Sequence, residues 1–294
     1  MSIAVIINPV TGLARPEDAR LRAELAAEVI ELQGEEPDVL VTQHPGHGRE
    51  LAEAAVRRGA RLVIVWGGDG TINEVASALA FGETPLGIIP AGSGNGLARA
   101  LQIRTQPEQA IRSAMRAKPR AIDVGELGGR LFVNLAGIGL DAHVAARFNA
   151  AGSRRRGLAR YMGLAARALV SYVPARYVIS GSGLHLNVRA VLVALANSTQ
   201  YGNGAQIAPG AQIDDGQLDL VVVRERSRLV TVCQTPRLFN GSVGRMPECS
   251  IHRVRDVQVE CPDRMAFHVD GEPVEGGATL AGRVHPAALR ICAA

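Results

Sequence analysis

One strand–glycine–helix pattern limits the fold of this chain more than any other stretch does. Residues 66–75 read Trp-Gly-Gly-Asp-Gly-Thr-Ile-Asn-Glu-Val. The β-branched run at 61–65 that precedes them is typical of a buried parallel strand. After the glycines, Ile72, Val75 and Leu79 recur at helical spacing. The stretch therefore predicts one strand–turn–helix unit of an α/β sheet.

The glycines of this turn favour phosphate binding. Without Cβ atoms they leave main-chain amides uncovered, and they allow positive φ. Those amides and the positive end of the following helix form a site that attracts phosphate. Asp69, in the middle of the turn, is repelled by phosphate unless a cation lies between them, so it indicates Mg²⁺ or a role in proton transfer. The alternative is an ordinary α/β turn in which Asp69 caps the helix.

The first 120 or so residues alternate between strand and helix patterns. Short apolar runs predict strands at 3–7, 39–41, 61–65 and 86–90. Further helical patterns lie at 18–32, 50–58, 97–101 and 107–116. In the first of these helices we expect one buried side formed by Leu21, Leu25, Val29 and Leu32. The alternation predicts an α/β fold with a doubly wound parallel sheet.

Polar residues stand just beyond the end of each predicted strand. These places are occupied by Asn8, Thr42, the turn at 67–71 and the loop at 92–95. Ligands of doubly wound sheets bind at the carboxyl ends of the strands. Four loops at one sheet edge therefore predict a phosphate site more strongly than the glycine turn alone does.

The second half of the chain has a different pattern, with many strands and few helices. We predict strands at 121–124, 131–135, 186–196, 218–223, 254–260 and 265–269. Such a run of strands after a βα run indicates a separate, largely antiparallel domain. The predicted domains are residues 1–122 and 123–278, with 279–294 returning to the first one.

Charge is spread unevenly along the 294 residues. The net charge is +4, but residues 142–213 contain eight arginines and no acidic residue. Such a stretch indicates an anionic partner, namely a membrane surface, a nucleotide or nucleic acid. Because only 3% of the residues are aromatic, there is little to stack bases on, and we expect no nucleic acid partner.

A helical pattern at 157–173 lies inside this basic stretch and carries an apolar stripe. It is flanked by Arg154, Arg155, Arg156, Arg160 and Arg167. The pattern is typical either of a packed helix with a solvated basic face or of a membrane-surface helix.

Redox and targeting signals favour a cytoplasmic protein. The four cysteines lack CxxC spacing, so they indicate neither a zinc site nor a disulfide framework. The apolar run at 3–7 is too short for a signal peptide, and no apolar run reaches the ~20 residues that span a bilayer. We expect a cytoplasmic protein that is at most peripherally associated with a membrane. The sequence leaves open whether it forms a homodimer.

The only lysine is Lys118, so a Walker-type phosphate loop is absent.

A series of motifs along the whole chain resembles the lipid kinases with the diacylglycerol kinase catalytic domain, which include bacterial diacylglycerol kinases and sphingosine kinases. The motifs are Ile7-Asn8-Pro9 with Gly12, Thr42 to His47, 67–75, 90–98, 136–142, Asn197 with 201–204, Ala208-Pro209, 214–219 and 270–273. The resemblance implies an α/β nucleotide domain followed by a β-sandwich domain. It also implies ATP, Mg²⁺ and a lipid acceptor at a membrane surface, with ATP and lipid meeting in the cleft between the domains.

The resemblance also implies roles for individual residues. The nucleotide would be held by Asn8, Thr42, Gly67, Gly68, Gly70, Thr71, Glu74, Gly92, Ser93 and Asn95. Mg²⁺ would be held through water by Asp69, which also belongs to the catalytic set, and by Asp123. A structural metal would be bound by Asp215 and the main-chain carbonyls of Gln212 and Gln217.

The resemblance places the lipid chemistry on three acidic residues. Asp270, with Glu272, would be the general base on the lipid hydroxyl, and Asp141 would contact the lipid head group. Asp123, Asp141 and Asp270 also fit simpler structural roles. Asp123 fits a cap at the end of a strand, Asp141 fits a helix cap, and Asp270 fits a tight Asp-Gly turn.

The chain departs from the family pattern in two places. Asn95 is followed by Gly96, where bacterial diacylglycerol kinases usually carry Asp, so the expected lipid is either diacylglycerol-like or sphingoid. The loop after Asn8 lacks the usual Lys, for which Arg15 is the expected substitute. Two alternatives stay open: an NAD kinase-like enzyme, which shares the glycine turn, and a non-catalytic nucleotide-binding homologue.

Overall fold

The protein is described by a computed structural model that covers residues 2–11, 18–150, 168, 172–202, 204–227, 237 and 241–293, with the backbone only at 148–150. The chain divides into a first unit, Met1–Ile122 with Ala287–Ala294, and a second unit, Asp123–Pro286. The last strand, Thr279–Ile291, stays in the second unit as far as Pro286. The chain thus returns to the first unit later than the position predicted, 279.

The first unit consists of alternating strands and helices. Its strands are β1 (Ser2–Ile7), β2 (Glu36–Val41), β3 (Leu62–Gly67) and β4 (Leu86–Pro90). Its helices are α1 (Asp18–Glu31), α2 (His47–Arg57), α3 (Asp69–Leu79), α4 (Gly96–Ala100) and α5 (Pro107–Arg116). The strands and helices predicted for this part of the chain are confirmed, with small shifts at their ends.

Parallel pairing joins the strands of the first unit in the order β2–β1–β3–β4. Ile291, near the end of the chain, pairs parallel with Leu86 of β4, so the last strand ends beside this sheet. The neighbours of β1 lie on opposite sides of it, so the order of the strands reverses at β1. The loops after β1 and β3 therefore flank the crevice in which doubly wound sheets bind their ligands.

Helix α1 buries a different side from the predicted one. Its buried residues are Ala26, Val29 and Ile30, whereas Leu21 and Leu32 are 65% and 66% exposed. Both arcs have helical spacing and share Val29, so periodicity alone does not distinguish them. The choice is made by the sheet, because Ala26, Val29 and Ile30 belong to one core cluster with residues of β1 and β3.

Among its described residues, the second unit consists mainly of strands. They are β5 (Arg120–Leu127), β6 (Arg130–Phe132), β7 (Leu135–Gly139), β8 (Ala175–Gly181), β9 (Leu184–Ala196), β10 (Gln200–Gly202), β11 (Ala205–Gln206), β12 (Leu218–Arg224), β13 (Cys249–Val254), β14 (Asp256–Glu260), β15 (Ala266–Val269), β16 (Glu272–Glu275) and β17 (Thr279–Ile291). A helix, α6 (Leu140–Ala150), follows β7.

Antiparallel pairing joins these strands in the order β16–β15–β7–β9–β8–β14–β17. The long strand β9 also pairs with β12, and β12 pairs with β13. The side chains between the strands form a core that includes Phe132, Tyr177, Leu220 and Phe267. A second cluster, which includes Leu135, lies on another part of the strands. The predicted antiparallel domain is therefore confirmed.

Two of the predicted strands are wrong in their continuity. The strand predicted at 131–135 is broken, because β6 ends at Phe132 and β7 begins at Leu135. The residues between them form a bend, whose N–H groups bind a carboxylate described below. The strand predicted at 254–260 is interrupted at Arg255, where β13 gives way to β14.

Several predictions concern residues outside the described part of the chain. The helical pattern at 157–173 is one of them, apart from residues 168, 172 and 173, and so are Gly12, Arg15 and Asn203. The flanking basic residues Arg154, Arg155, Arg156, Arg160 and Arg167 also lie outside it. Within the described part, no helix is both long enough and apolar enough to cross a bilayer.

Candidate active site

The loops after β1 and β3 are connected by a side-chain hydrogen bond. The Nδ2 group of Asn8, just beyond β1, donates to Oγ1 of Thr71 at 2.7 Å. Thr71 lies in the first turn of α3, and the glycine turn at 67–70 stands directly before it. These predicted nucleotide residues therefore lie together at the crevice of the sheet.

Asp69 connects the glycine turn to the loop after β4. Its Oδ2 accepts a hydrogen bond from the N–H of Asn95 at 2.9 Å, and its Oδ1 accepts one from the N–H of Gly96 at 2.7 Å. Asp69 thus holds a neighbouring loop, a role that the sequence did not predict. A carboxylate oxygen has two lone pairs, so an oxygen that accepts one N–H group can also face a hydrated cation.

The two glycine loops approach each other through their backbones. A Cβ atom on Gly92 would lie 2.8 Å from the Cα of Gly68, and one on Gly67 would lie 2.8 Å from the Cβ of Thr71. Asn95 stabilises the approach, because its Oδ1 accepts the N–H of Gly92 at 2.8 Å. The φ of Asn95 is 50°, in the left-handed region that Asn tolerates. Glycine is therefore needed at positions 67 and 92 for the packing of the loops. Ser93, in the loop after β4, is exposed.

Glu74 organises the loop between β2 and α2. Its carboxylate accepts the N–H of Gly46 at 2.8 Å and the N–H of Gly48 at 3.0 Å. Thr42, at the start of this loop, is buried and donates its N–H to the carbonyl of Ile7. Four strand-end loops are thus connected by the side chains of Asn8, Asp69, Glu74 and Asn95.

Three residues near the end of β1 were not predicted as site residues. The hydroxyl of Thr11 is buried and has no hydrogen-bond partner among the described residues. Arg22 of α1 donates to the carbonyl oxygens of Asn8 at 3.1 Å and Thr11 at 3.4 Å. Its guanidinium lies 5.4 Å from the ring centroid of Trp66, and burial lowers its pKa. A buried donor hydroxyl beside a cation is suited to an anion.

Asp270 is held by three main-chain N–H groups. Its Oδ2 accepts from Val133 at 2.9 Å, and its Oδ1 accepts from Asn134 at 2.9 Å and from Leu135 at 3.0 Å. Asp270 and Gly271, with φ angles of 48° and 88°, form the two-residue turn between β15 and β16. The tight Asp-Gly turn is therefore present, and its carboxylate accounts for the break between β6 and β7.

Glu272 begins β16 directly after this turn. Its side chain is exposed, whereas Asp270 is only 7% exposed. The two carboxylates that the resemblance pairs as a general base thus have different environments. Asp270 is an anchor inside the unit, and Glu272 faces solvent.

Asp141 and His268 form a buried pair beside the same turn. His268 Nε2 lies 3.1 Å from Asp141 Oδ2, and the two side chains are 6% and 1% exposed. The N–H of Gly271 donates to His268 Nδ1 at 3.2 Å. The other oxygen of Asp141 accepts the N–H of Ala142 at 2.8 Å, in the first turn of α6. Sequence reasoning missed His268, although its position two residues before Asp270 places it on the same hairpin.

Glycine and tyrosine residues surround this pair. A Cβ atom on Gly137 would lie 1.8 Å from Asp141 Oδ2, so only glycine leaves room for the carboxylate. Tyr172 and Tyr177 share a hydrogen bond, and burial raises the pKa of both hydroxyls. The charge of Asp141 adds to the rise at Tyr172. The Asp141–His268 pair therefore lies in a buried environment of low dielectric constant, with tyrosine hydroxyls nearby.

Comparison with known families covers both parts of the chain. Residues 2–127 match the diacylglycerol kinase catalytic domain, and residues 134–293 match the YegS C-terminal NAD kinase beta sandwich-like domain. A protein of Pseudomonas aeruginosa named probable lipid kinase YegS-like is 33% identical over 275 residues, which are 92% of this chain and 88% of the relative. The chain belongs to the YegS-like lipid kinase family.

A second relative and one solved structure are also similar to this chain. A probable lipid kinase YegS-like of Chromohalobacter salexigens is 35% identical over 243 residues, which are 80% of this chain and 77% of the relative. A diacylglycerol kinase structure from Bacillus anthracis str. Sterne has a TM-score of 0.74 and 19% identity, and covers 100% of this chain and 97% of that chain. The latter likeness shows the fold, an α/β unit followed by an antiparallel β-sandwich-like domain.

Membership makes this protein an enzyme of the kinase class. The family implies the use of a nucleotide and a lipid. The relatives are named as lipid kinases, which favours the lipid-kinase interpretation over the NAD kinase-like alternative.

In the kinase, Asp123 orders the loop that carries the predicted structural metal ligands. Its buried carboxylate accepts the N–H of Gly216 at 2.6 Å through Oδ2. Its own N–H donates to the carbonyl of Ile213 at 2.8 Å. This loop contains the predicted ligands Gln212, Asp215 and Gln217.

Asp215 has one basic and one acidic side chain nearby, Arg253 and Asp219. Asp215 Oδ1 accepts the N–H of Gln217 at 3.0 Å, and its Oδ2 lies 3.9 Å from Arg253 Nη1. Burial raises the pKa of the nearby Asp219; Arg253 lowers it, and the Asp215 carboxylate raises it further. A divalent cation would relieve the repulsion between the two carboxylates, and oxygen ligands suit Mg²⁺ or Ca²⁺.

The predicted Mg²⁺ ligands, Asp69 and Asp123, do not belong to the close group of three potential metal ligands in the described part of the chain. The one close group of three potential ligands there is His44, His47 and Glu50. His47 Nδ1 accepts the N–H of Gln43 at 3.0 Å, so the neutral ring carries its proton on the other nitrogen and offers no free lone pair to a metal. The single carboxylate of Asp69 fits Mg²⁺ that keeps most of its water.

Proposed function

We propose that this kinase transfers the γ-phosphoryl group of ATP to the hydroxyl of a diacylglycerol-like or sphingoid lipid, with Mg²⁺ as the metal. The observation that carries the proposal is the meeting of four strand-end loops, two of them rich in glycine, at the switch point of a parallel sheet. The lipid acceptor follows from the family to which the chain belongs.

In the first unit we assign phosphate binding to the amides of the glycine turn at the start of α3 and to the Thr11 hydroxyl. The side chains of Asn8, Asp69, Glu74 and Asn95 hold those loops in place through the hydrogen bonds described above. Phosphoryl transfer needs mainly positioning and electrostatic stabilisation, which such a fixed set of donors supplies. Mg²⁺, when bound, neutralises the charge on the phosphate oxygens.

In the second unit we assign proton removal to Glu272. The O–H bond of the lipid breaks and its proton passes to the carboxylate, while the oxygen bonds to the γ-phosphorus. The bond from that phosphorus to the bridging oxygen breaks, and ADP leaves with the electron pair. Asp270 is committed to three N–H groups, so we assign to it the holding of the turn that presents Glu272.

Glu272→Gln tests the proton acceptor. The change keeps the shape of the side chain but removes its basicity, so kcat for lipid phosphorylation should fall about 10²–10⁴-fold. The KM for ATP and the Tm should stay unchanged, because the side chain is exposed. Transfer of label from γ-labelled ATP to diacylglycerol, monoacylglycerol, sphingosine, ceramide or phosphatidylglycerol measures the effect.

Glu275→Gln, at the other end of the same strand, is the matched control because it changes an exposed glutamate of β16 outside the proposed site. It should keep wild-type activity. Wild-type kcat in Glu272→Gln would move proton removal to another group. Labelling of NAD but of no lipid by the parent protein would overturn the proposed function itself.

Thr11→Val tests the nucleotide site. The change replaces the unpartnered hydroxyl by a methyl group of similar size. A hydrogen bond to a charged group contributes about 1.5–3 kcal/mol, so affinity for ATP should fall about 10-fold or more. The ligand-free protein should lose no stability, since the hydroxyl has no partner among the described residues.

Trp66 provides the measurement, because it is the only tryptophan of the sequence and contacts Arg22 beside the loop. Its fluorescence during an ATP titration gives Kd, and thermal unfolding without ATP gives stability. An unchanged Kd, or a loss of stability in the ligand-free variant, would contradict the assignment of Thr11 to phosphate.

We further propose that the enzyme meets its lipid at a membrane surface. The support is the acid-free stretch at 142–213 with its eight arginines. Near an anionic surface each such residue contributes about 1 kcal/mol. Co-sedimentation with anionic and neutral vesicles at low and high salt measures it, and equal binding to both kinds of vesicle would speak against it.

A further inference from the structure

The buried Asp141–His268 pair stands one hydrogen bond away from the turn that carries the proposed proton acceptor. We propose that His268, oriented by Asp141, is a positioning residue that fixes the turn of Asp270, Gly271 and Glu272 through the N–H of Gly271. The proposal rests on the function proposed above, because it takes Glu272 as the group that accepts the proton.

The hydrogen bonds determine the tautomer of the imidazole. Gly271 N–H can only donate, so His268 Nδ1 is the acceptor at 3.2 Å. The proton of the neutral ring is therefore on Nε2, where it donates to Asp141 Oδ2 at 3.1 Å. Asp141 thus holds the ring in the tautomer that accepts from the turn.

The hydrogen bond from Gly271 to His268 influences the position of Glu272, because it holds the peptide of the turn. Asp270 is anchored by its side chain, but the peptide that joins Asp270 to Gly271 is held by the His268 contact. Both residues of the turn have φ in the left-handed region. Rotation of that peptide would break the bond to His268 and move the chain where it enters Glu272. A displacement of about 1 Å at a reacting group can cost about 10²-fold in rate.

The position of Gly137 independently supports a specific role for the Asp141–His268 pair. It lies on β7 directly opposite His268 of β15. A Cβ atom there would lie 1.8 Å from Asp141 Oδ2 and 2.8 Å from His268 Nε2. The strand thus leaves space for both members of the pair. Because the Asp141 side chain is 1% exposed, the proposal gives it a task different from the head-group contact implied by the resemblance.

Two variants of His268 separate the two hydrogen bonds. In His268→Asn an amide oxygen stands where Nδ1 stood, so the bond from Gly271 is kept and the bond to Asp141 is lost. In His268→Gln an amide nitrogen stands near the place of Nε2, so the bond to Asp141 is kept and the bond from Gly271 is lost. Both substitutions are neutral and polar, and they serve as controls for each other.

The proposal predicts opposite orders for stability and turnover. His268→Gln should lose about 10²-fold in kcat with the KM for ATP and lipid unchanged, while its Tm stays the higher of the two. His268→Asn should retain most of the wild-type kcat but have the lower Tm, since Asp141 loses a buried partner. If the pair were only structural, kcat would follow Tm and His268→Asn would be the less active variant.

Hydrogen exchange of the Gly271 amide gives a readout that does not depend on activity. It should be faster in His268→Gln than in His268→Asn or the parent protein. Equal exchange in the two variants, or a kcat in His268→Gln at least as high as in His268→Asn, would overturn the proposal. Absence of lipid phosphorylation by the parent protein would overturn the proposed function instead, and the exchange comparison would still test the contact.

Discussion

Asp270→Ala should lower the free energy of unfolding by about 3 kcal/mol or more. The substitution removes the acceptor of three N–H groups, those of Val133, Asn134 and Leu135. All three residues are buried, and each unsatisfied buried donor costs about 1–3 kcal/mol. Since small domains are stable by only about 5–15 kcal/mol, such a loss should be large in a urea denaturation experiment.

Two further variants show whether the acceptor is the cause. Asp270→Asn keeps a residue that tolerates the left-handed φ of the turn, but it turns an NH₂ group toward main-chain donors, so its loss should be intermediate. Asp263→Ala removes an exposed carboxylate from the same unit and should change stability by less than about 0.5 kcal/mol. Equal, small losses for Asp270→Ala and Asp263→Ala would show that the three N–H groups find other partners.

Gly137→Ala should lower the free energy of unfolding by about 3–5 kcal/mol and abolish most activity. The added Cβ would lie 1.8 Å from Asp141 Oδ2, far inside any tolerated contact. Either the strand moves, which overpacking makes costly by about 1–3 kcal/mol, or the buried pair with His268 breaks. Thermal or urea unfolding measures the first effect, and kcat the second.

The matched control is Gly210→Ala, because a Cβ atom there would meet nothing within 4 Å and the residue has no positive φ. It should leave stability and activity near those of the parent. In the double variant Gly137→Ala with Asp141→Ala the clashing carboxylate is absent, so the two losses should not add. Full additivity would mean that the space left by Gly137 does not serve Asp141.

Much of the fold was predictable because it depends on neighbours in the sequence. The β-branched run before Gly67 and the helical spacing after it determined one βα unit, and the alternation of such units predicted the parallel sheet. The same rules placed polar residues at the strand ends, where ligands of such sheets bind. The Asp270-Gly271 pair also predicted its hairpin turn, since both positions need a left-handed φ.

Other features of the fold depend on contacts between segments that are far apart in the sequence. Helix α1 could bury either of two arcs, and contact with β1 and β3 selected the one with Ala26 and Ile30. The strand predicted at 131–135 broke because its N–H groups bind a carboxylate more than 130 residues away. Periodicity contains no information about such a partner.

The acidic residues show the same division. The glycine turn identified Asp69 as a candidate for metal or proton chemistry, and the resemblance to the lipid kinases added Glu74, Asp123 and Asp270. The tertiary structure decided that each accepts N–H groups of another segment, and that His268, which the sequence did not single out, joins Asp141 to the turn. The residue types and their local turns are properties of the sequence, whereas a hydrogen bond needs its donor and acceptor within about 3 Å, and only the packed strands bring them there.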